Sequence, residues 1–171
     1  MKTRFEQIAR DTQGYNLSDN PIIRAAGEII KKGGLVAFPT ETVYGLGGDA
    51  LNPESSKKIY AAKGRPSDNP LIVHIADLRD LEKIVSYIPE NAKILAKHFW
   101  PGPLTIVLKS KDIVPDIVRA GGDTVALRCP DHPMTQMMLK KAKLPFAAPS
   151  ANPSGSKSPV NAQEVLDYFD G

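Results

Sequence analysis

Residues 33–48 read Gly-Gly-Leu-Val-Ala-Phe-Pro-Thr-Glu-Thr-Val-Tyr-Gly-Leu-Gly-Gly. Within this stretch, residues 35–38 are a short and fully apolar run, which predicts a strand that is buried. The residues after it crowd two threonines, a glutamate and a tyrosine among glycines, which let a backbone approach a ligand closely. Ligands of open α/β sheets bind beyond the carboxyl ends of strands. Residues 39–48 therefore predict a ligand-binding loop, with a β-turn capped by its threonines as the alternative.

Signals for helices and strands alternate along the rest of the chain. Asn20-Pro21 and Asn52-Pro53 each combine an N-cap asparagine with a proline in the first helical turn. Lys31-Lys32-Gly33-Gly34 and Lys63-Gly64 end these two helices. Further helices are predicted over 77–86, 89–99, 132–143 and 160–169, and strands over 71–76, 104–108, 124–129 and 146–148. This alternation predicts an α/β fold with a twisted sheet that is largely parallel or mixed.

The composition is that of a globular protein with one domain. The chain has 171 residues, of which 42% are hydrophobic and 24% charged, so it can bury a sizeable core. A net charge of +3 is too weak to establish a nucleic-acid partner, and it is compatible with an anionic substrate. Cys129 is the only cysteine, so we expect a reducing, cytoplasmic location. Residues 1–17 form a polar lead-in, and no apolar run approaches the length of a membrane span.

A second polar segment, residues 63–70, places cations on both sides of a glycine. Lys63 and Arg65 can converge there on a polyphosphate, for which arginine offers a two-pronged donor fork. One unit-charge contact at about 4 Å and a dielectric constant near 20 is worth roughly 4 kcal/mol before desolvation, so several phosphate charges call for more than one cation. The alternative is a helix C-cap in which Lys63 faces the helix dipole and Arg65 is solvated.

Two of the predicted strands carry isolated polar residues. His74 has apolar neighbours, so we expect its ring to be partly buried, either as a structural hydrogen-bonding group or as part of a site. Thr124 and Arg128 lie on the same face of one strand, where an arginine at the strand end suits a carboxylate. An exposed arginine at a sheet edge is the alternative. Cys129 is expected to fill the core.

The last polar segment, residues 149–159, reads Pro-Ser-Ala-Asn-Pro-Ser-Gly-Ser-Lys-Ser-Pro and follows an apolar strand. Its hydroxyls, its amide and Lys157 can bind phosphate oxygens or a nucleotide sugar, with a flexible linker as the alternative. His74, His98 and His132 are far apart in the sequence, so no metal site is predicted. Because the polar segments follow successive strands, one cleft can gather them into a nucleotide site.

Taken in order, these segments resemble the YrdC-like family of threonylcarbamoyl-AMP synthases. The resemblance runs from about Gly33 to Asp170 and rests on six motifs, at residues 39–47, 63–66, 70–74, 100–105 (Trp-Pro-Gly-Pro-Leu-Thr), 128–130 and 149–152. It implies a YrdC-like twisted mixed sheet that is flanked by helices and has a concave ligand-binding face.

The resemblance also implies an activity, the synthesis of threonylcarbamoyl-AMP and pyrophosphate from L-threonine, bicarbonate or CO₂, and ATP. ATP is expected as a substrate together with Mg²⁺, and a separate threonylcarbamoyl-transfer complex then modifies a tRNA adenosine. By the same resemblance, threonine is bound by Thr42, His74, Arg128 and the backbone near Ala148. ATP is surrounded by Lys63, Arg65, Asn69, Thr124, Ser150, Asn152 and Ser158. Lys63 and Arg65 are the expected catalytic residues because they stabilise the phosphates.

Family members continue past the matched region with a glycine-rich stretch and a Glu-Ser-Thr segment that helps to close the site. This chain stops at Asp170-Gly171, directly after a predicted helix. We therefore expect residues 1–171 to be a single YrdC-like catalytic domain that is truncated at its C-terminal end, with a natural terminus at a helix cap as the alternative.

Two other functions are compatible with the sequence. A non-catalytic module that binds double-stranded RNA or tRNA is supported by the mild positive charge and by lysines at 57–58 and 140–143. Such a module should bind with strong salt dependence and be indifferent to ATP. A carbamoyl-transfer domain related to hydrogenase maturation proteins would use carbamoyl phosphate. It is normally accompanied by zinc-finger and acylphosphatase regions, which residues 1–171 do not encode.

Overall fold

The structure is a computed structural model that describes residues 3–9 and 16–170. The predicted lead-in lies partly outside these residues, and the chain end at Gly171 lies wholly outside them. The helices are α1 (Pro21–Lys31), α2 (Pro53–Lys63), α3 (Leu81–Ile84), α4 (Glu90–Phe99), α5 (Asp116–Arg119), α6 (Pro133–Ala142) and α7 (Ala162–Phe169). The strands are β1 (Val36–Phe38), β2 (Gly45–Asp49), β3 (Ile72–His74), β4 (Thr105–Lys109), β5 (Thr124–Arg128) and β6 (Phe146–Ala147).

The strands of the described chain form one sheet in the order β1-β2-β6-β3-β5-β4. β3 and β5 run parallel, whereas β1–β2, β2–β6, β6–β3 and β5–β4 are antiparallel. The prediction of an α/β fold with a mixed sheet is therefore confirmed. The parallel pair matters for function because it places the carboxyl ends of two strands side by side.

The predicted starts and stops of α1 and α2 are confirmed. The Asn20 side chain accepts a hydrogen bond from Ile22 N at 2.9 Å, and the Asn52 side chain accepts one from Glu54 N at 3.0 Å. Each bond satisfies a backbone donor that has no partner inside the helix. At the end of α2, Gly64 adopts a φ of 58°, a left-handed conformation that glycine tolerates without steric cost.

The sequence did not predict β2 or α5. β2 reads Gly-Leu-Gly-Gly-Asp, which has none of the β-branched or aromatic residues that mark strands. α5 is a single turn, too short to produce a helical pattern in the sequence. The helix predicted over 77–86 is instead a 3₁₀ turn (Leu78–Asp80) followed by α3, and Asp77 caps it by accepting from Arg79 N at 2.9 Å.

The glycines of β2 make room for the ring of Phe38 on β1. Phe38 pairs with Gly45 across the two strands, and its side chain is 1% exposed. A Cβ atom on Gly47 would lie 2.5 Å from Phe38 Cε1, and one on Gly45 would lie 3.1 Å from Cε2. Larger residues at these positions would therefore displace the ring from the core.

The core lies on both sides of the sheet. One cluster surrounds β3 and β5 and includes the buried Cys129, as predicted. A second cluster packs α1 and α6 around Phe38 and Phe146, whose ring centroids are 5.9 Å apart. In the described chain, no helix has both the length and the apolarity that crossing a membrane requires.

The packing of Phe38 leads to a prediction for Gly47→Ala. The added methyl group should force the buried ring to move and lower the free energy of unfolding by about 1–3 kcal/mol. Gly27→Ala in α1 is the matched control, because its Cβ would lie 3.6 Å from the nearest atoms of Ala142 and alanine favours a helix. Urea unfolding of both variants checks the prediction, and equal stabilities would contradict it.

Candidate active site

The parallel strands β3 and β5 bring together two residues predicted for the threonine site. His74 and Arg128 are paired in register at the carboxyl ends of these strands. The third member, Ala148, follows β6 on the other side of β3, and its N–H donates to Ile72 O at 2.9 Å. The sheet thus brings His74 and Arg128 side by side, and because β6 is antiparallel to β3, Ala148 lies beside the amino end of β3, two residues before His74.

The loop after β1 supplies a hydroxyl to this group. Thr40 Oγ1 donates to Val43 O at 2.6 Å and accepts from Thr42 N at 3.2 Å. The two threonine hydroxyls are 3.1 Å apart. Because the Thr40 proton is used on a carbonyl, Thr42 is the donor in that pair. Thr42 Oγ1 then accepts from Arg128 Nη2 at 3.0 Å, so the loop is attached to the end of β5.

A carboxylate holds the same arginine. Glu41 Oε1 accepts from Arg128 Nη2 at 2.5 Å, and Glu41 Oε2 accepts from Asp131 N at 3.0 Å. The side chains of Arg128 and Glu41 are only 11% and 22% exposed, so solvent screens this ion pair less than a pair on the surface. The alternative of an edge-exposed arginine is therefore wrong.

His74 is a neutral group in this site. Burial lowers its pKa to about 4, and the positive charge of Arg128 acts in the same direction. Its Nδ1 lies 3.3 Å from Ile72 O. Since a carbonyl only accepts, this contact is a hydrogen bond in the tautomer that carries its proton on Nδ1. The ring also stands edge-on to Phe38, with 6.1 Å between centroids, which links the histidine to the core.

The ammonium group of Lys63 is buried at the end of α2. Its Nζ donates to the carbonyl oxygens of Ser150 and Asn152, two of the positions predicted for ATP. The residue is 3% exposed, and burial lowers its pKa to about 8, with a further contribution from the charge of Arg65. An ammonium group has three donors, so one N–H is available for a ligand oxygen.

Arg65 organises the loop that follows. Its Nε donates to Asn69 O at 3.2 Å and its Nη2 donates to Pro70 O at 3.0 Å. These bonds use two of the five N–H donors of the guanidinium group, so the side chain can hold the loop and also meet an anion. Tyr60 on α2 donates to the same Asn69 carbonyl at 3.0 Å.

Backbone contacts join the two groups of residues. Tyr44 O accepts from Ala151 N at 2.7 Å, and Leu46 N donates to Pro149 O at 2.9 Å. Gly45 and Ser150 form an antiparallel bridge between these two bonds. The loop that carries Thr42 and the segment that binds Lys63 are thus in direct contact, and residues 149–152 are not a flexible linker.

The remaining predicted residues lie in different surroundings. Asn152 is 5% exposed, and its Nδ2 donates to Pro153 O and Ser156 O at 2.9 Å, while its Oδ1 is buried without a partner. Thr124 is exposed at the amino end of β5, about 13 Å from Arg128 by the rise of a strand. Ser158 is partly buried beside Pro159, whose carbonyl accepts from Tyr44 N. Among the described residues, no hydrogen bond joins the Thr124 or Ser158 side chain to the other predicted positions.

Sequence reasoning did not assign a role to Glu41 or to the turn that begins α6. Asp131 N binds the Glu41 carboxylate, and the next residue, His132, has a buried Nδ1 without a partner. Burial lowers the pKa of His132. In the sequence, Glu41 is distinguished only by its position between two threonines. Its partner, Arg128, is 87 residues away, so the sequence does not reveal the contact.

Among residues 3–9 and 16–170, no group of three or more His, Cys, Asp or Glu side chains is arranged to hold a metal ion. Mg²⁺ commonly binds through the phosphates of its nucleotide and keeps several waters.

Comparisons with known proteins agree on one family. The Sua5/YciO/YrdC family model, described as telomere recombination, matches residues 28–171. The threonylcarbamoyl-AMP synthase of Pyrococcus abyssi is 52% identical over 149 residues, which are 87% of this chain and 44% of that protein. The corresponding synthase of Bacillus subtilis is 52% identical over 155 residues, 90% of this chain and 45% of that protein.

A solved structure shares the fold. Sua5 of Pyrococcus abyssi complexed with L-threonine superposes with a TM-score of 0.85 at 52% identity, covering 86% of this chain and 43% of that one. This chain therefore spans less than half the length of these relatives from Pyrococcus abyssi and Bacillus subtilis.

The burial of His74 predicts a pH dependence of stability. The ring is neutral in both states well above its ordinary pKa of 6.5, whereas below 6.5 the unfolded chain takes up a proton that the folded chain accepts only near pH 4. The free energy of unfolding should thus fall by on the order of 3 kcal/mol between pH 6.5 and pH 4. Urea titrations should show this fall for the wild type and for the exposed control His98→Gln. An equally steep fall in His74→Gln would contradict the prediction.

Proposed function

This chain belongs to the Sua5/YciO/YrdC family, and on that premise we propose that it forms threonylcarbamoyl-AMP from L-threonine, bicarbonate or CO₂, and ATP. The observation that carries the proposal is the group formed by Thr42, His74 and Arg128 at the ends of two parallel strands, next to the Lys63 segment. A relative of 52% identity has been solved as a complex with L-threonine, which supports an amino-acid site in this fold.

The reaction needs two bond-forming steps. The amine nitrogen of threonine adds to the carbon of CO₂ and loses a proton, which gives a carbamate; bicarbonate reaches the same product with loss of water. A carbamate oxygen then attacks the α-phosphorus of ATP, the bond from that phosphorus to the bridging oxygen breaks, and pyrophosphate leaves. Reactions of this type are accelerated mainly by positioning and by stabilisation of charge. We assign no general base.

Threonine is proposed to lie against Arg128, Thr42, His74 and the backbone near Ala148. The guanidinium group of Arg128 is the charge that suits the substrate carboxylate. His74 is neutral at physiological pH, so its contribution is a hydrogen bond and not a charge. A neutral ring beside Arg128 also avoids repulsion between two cations within one small pocket.

ATP is proposed to lie along the segments that meet at Lys63. Lys63 and Arg65 act as the catalytic residues by offsetting the charge that develops on the phosphates, with Mg²⁺ arriving on the nucleotide. The third N–H of Lys63 is proposed to donate to a phosphate oxygen while the other two hold the protein backbone. The other residues proposed to surround ATP are Asn69, Thr124, Ser150, Asn152 and Ser158.

A non-catalytic module for double-stranded RNA or tRNA is the second candidate, and the lysine clusters give it little support. Lys57 forms an ion pair with Glu54, and Lys58 donates to Gly33 O at 2.6 Å, so both have structural contacts. The named relatives favour the synthase. We propose that tRNA and the threonylcarbamoyl-transfer complex are downstream partners and that the protein acts in the cytoplasm.

Pyrophosphate release tests the proposed function. The 171-residue chain should release pyrophosphate only when ATP, L-threonine and bicarbonate are all present.

L-Valine has nearly the same shape as threonine but lacks the hydroxyl, so polar groups that meet this hydroxyl would be left unpaired. Calorimetry should therefore show at least tenfold weaker binding of L-valine than of L-threonine. Equal binding of the two amino acids would contradict a threonine site.

The ATP subsite predicts a separate effect for Arg65→Ala. Loss of the guanidinium group removes one phosphate contact, so ATP should bind at least tenfold more weakly, or about 1.4 kcal/mol. Lys57→Ala is the matched control, because it removes an exposed cation on the same helix that ends at Lys63. Calorimetry with ATP measures both variants. An unchanged dissociation constant in a folded Arg65→Ala protein would exclude this loop from the site.

A further inference from the structure

The carboxylate of Glu41 connects three parts of the chain at the threonine subsite. Glu41 itself lies in the loop after β1, its Oε1 accepts from Arg128 at the end of β5, and its Oε2 accepts from Asp131 N just before α6. Both oxygens are therefore used, and by groups on different elements. Such an arrangement limits where the guanidinium group can lie.

The ion pair differs from the others in the described chain. The other pairs join residues at most seven positions apart, such as Lys157 and Glu164, and most of their side chains are well exposed. Glu41 and Arg128 are 87 positions apart and largely enclosed. Exposed local pairs contribute little to stability, whereas removing one partner of an enclosed pair leaves a charge uncompensated.

The donors of Arg128 indicate which of its edges is left for a ligand. A guanidinium group has five N–H donors, two on each Nη and one on Nε. The two on Nη2 point to Glu41 Oε1 and Thr42 Oγ1. Nε is buried and has no partner. Nη1 is thus the atom whose donors can meet a substrate carboxylate while Glu41 and Thr42 keep their bonds.

Glu41 carries its negative charge at neutral pH. Burial by itself would raise the pKa of this carboxyl, but the hydrogen bond from Arg128 and the backbone N–H groups hold it below its ordinary value. The bond to Arg128 is therefore charge-assisted, which is the strong and directional kind.

We infer that Glu41 is a positioning residue for threonine binding: it fixes the guanidinium group of Arg128 so that Nη1 faces the substrate carboxylate. The inference rests on the proposed function, because it concerns the same subsite. Its physical basis is that a carboxylate ligand gains most from a cation already held in the binding geometry. Glu41 acts through Arg128 and need not touch the substrate.

A different role for Glu41 would have the opposite effect on threonine binding. If Glu41 were an internal carboxylate that occupied the place of the substrate, its removal would strengthen threonine binding. The second anchor on Asp131 N favours positioning, because it holds Glu41 in place independently of Arg128.

Calorimetry on Glu41→Gln tests the inference. This variant keeps the size of the side chain and removes its charge. The dissociation constant for L-threonine should rise at least tenfold, and that for ATP should change less than twofold. Glu54→Gln, which removes an exposed acid paired with Lys57 on α2, should leave both constants unchanged. Unchanged or tighter threonine binding by folded Glu41→Gln would overturn the inference, as would an equal loss of ATP binding.

A double-mutant cycle separates positioning from direct contact. In an Arg128→Lys background, whose single ammonium group cannot reproduce the fork, adding Glu41→Gln should change the threonine constant less than twofold. A further tenfold loss there would mean that Glu41 does not act through Arg128, which overturns the inference.

Two additional measurements keep the outcome decisive. If Glu41→Gln does not fold, Glu41→Asp retains the charge but withdraws the carboxylate by one methylene, and it should also weaken threonine binding; unchanged binding overturns the inference. Wild-type chain that binds ATP but not threonine would instead refute the proposed function itself. A failure of the positioning role alone leaves wild-type threonine binding intact.

Discussion

The contact between the Phe38 ring and the glycines of β2 is the constraint on which the site depends. The ring fits because Gly45 and Gly47 have no side chains. Its burial against these glycines stabilises the pairing of β2 with β1. β2 in turn pairs with β6 and forms the bridge from Gly45 to Ser150. The loop between β1 and β2 therefore lies beside the segment after β6. Two loops that could each have been mobile are held together by a packed core.

That arrangement also settles how the buried cations are stabilised. A charge removed from water is costly unless the protein supplies partners. Lys63 obtains two backbone carbonyls, and Arg128 obtains Glu41 and Thr42. Because these partners come from the loops themselves, satisfying the cations also orders the loops. The charged groups are thus held in place before any ligand arrives, which reduces the reorganisation that binding requires.

Local signals in the sequence predicted the longer helices, whereas features that depend on long-range contacts were not predicted. Asn20, Asn52 and Gly64 act within a few residues, so their roles can be recognised from neighbours alone. β2 was not predicted because its glycines leave space for the Phe38 ring, which belongs to another strand. Glu41 was not assigned because its partner comes from β5. The resemblance to the family nevertheless implied that Thr42, His74 and Arg128 share one site, and in the structure Arg128 hydrogen-bonds to Thr42 and is paired in register with His74.

The charges of the two subsites differ in a way that fits the proposed substrates. Around Arg128 the protein provides one cation, one anion in Glu41, and a neutral His74. An amino acid also carries one charge of each sign at short separation, so a mixed pocket complements it better than a pair of cations would. Lys63 and Arg65 instead donate to backbone carbonyls, and among the described residues neither forms an ion pair with an acid. A polyphosphate with several negative charges is the ligand that such a subsite favours. The proposed function thus assigns the amino acid to the loops around Arg128 and the polyphosphate to the loops around Lys63, with the Gly45–Ser150 bridge between them.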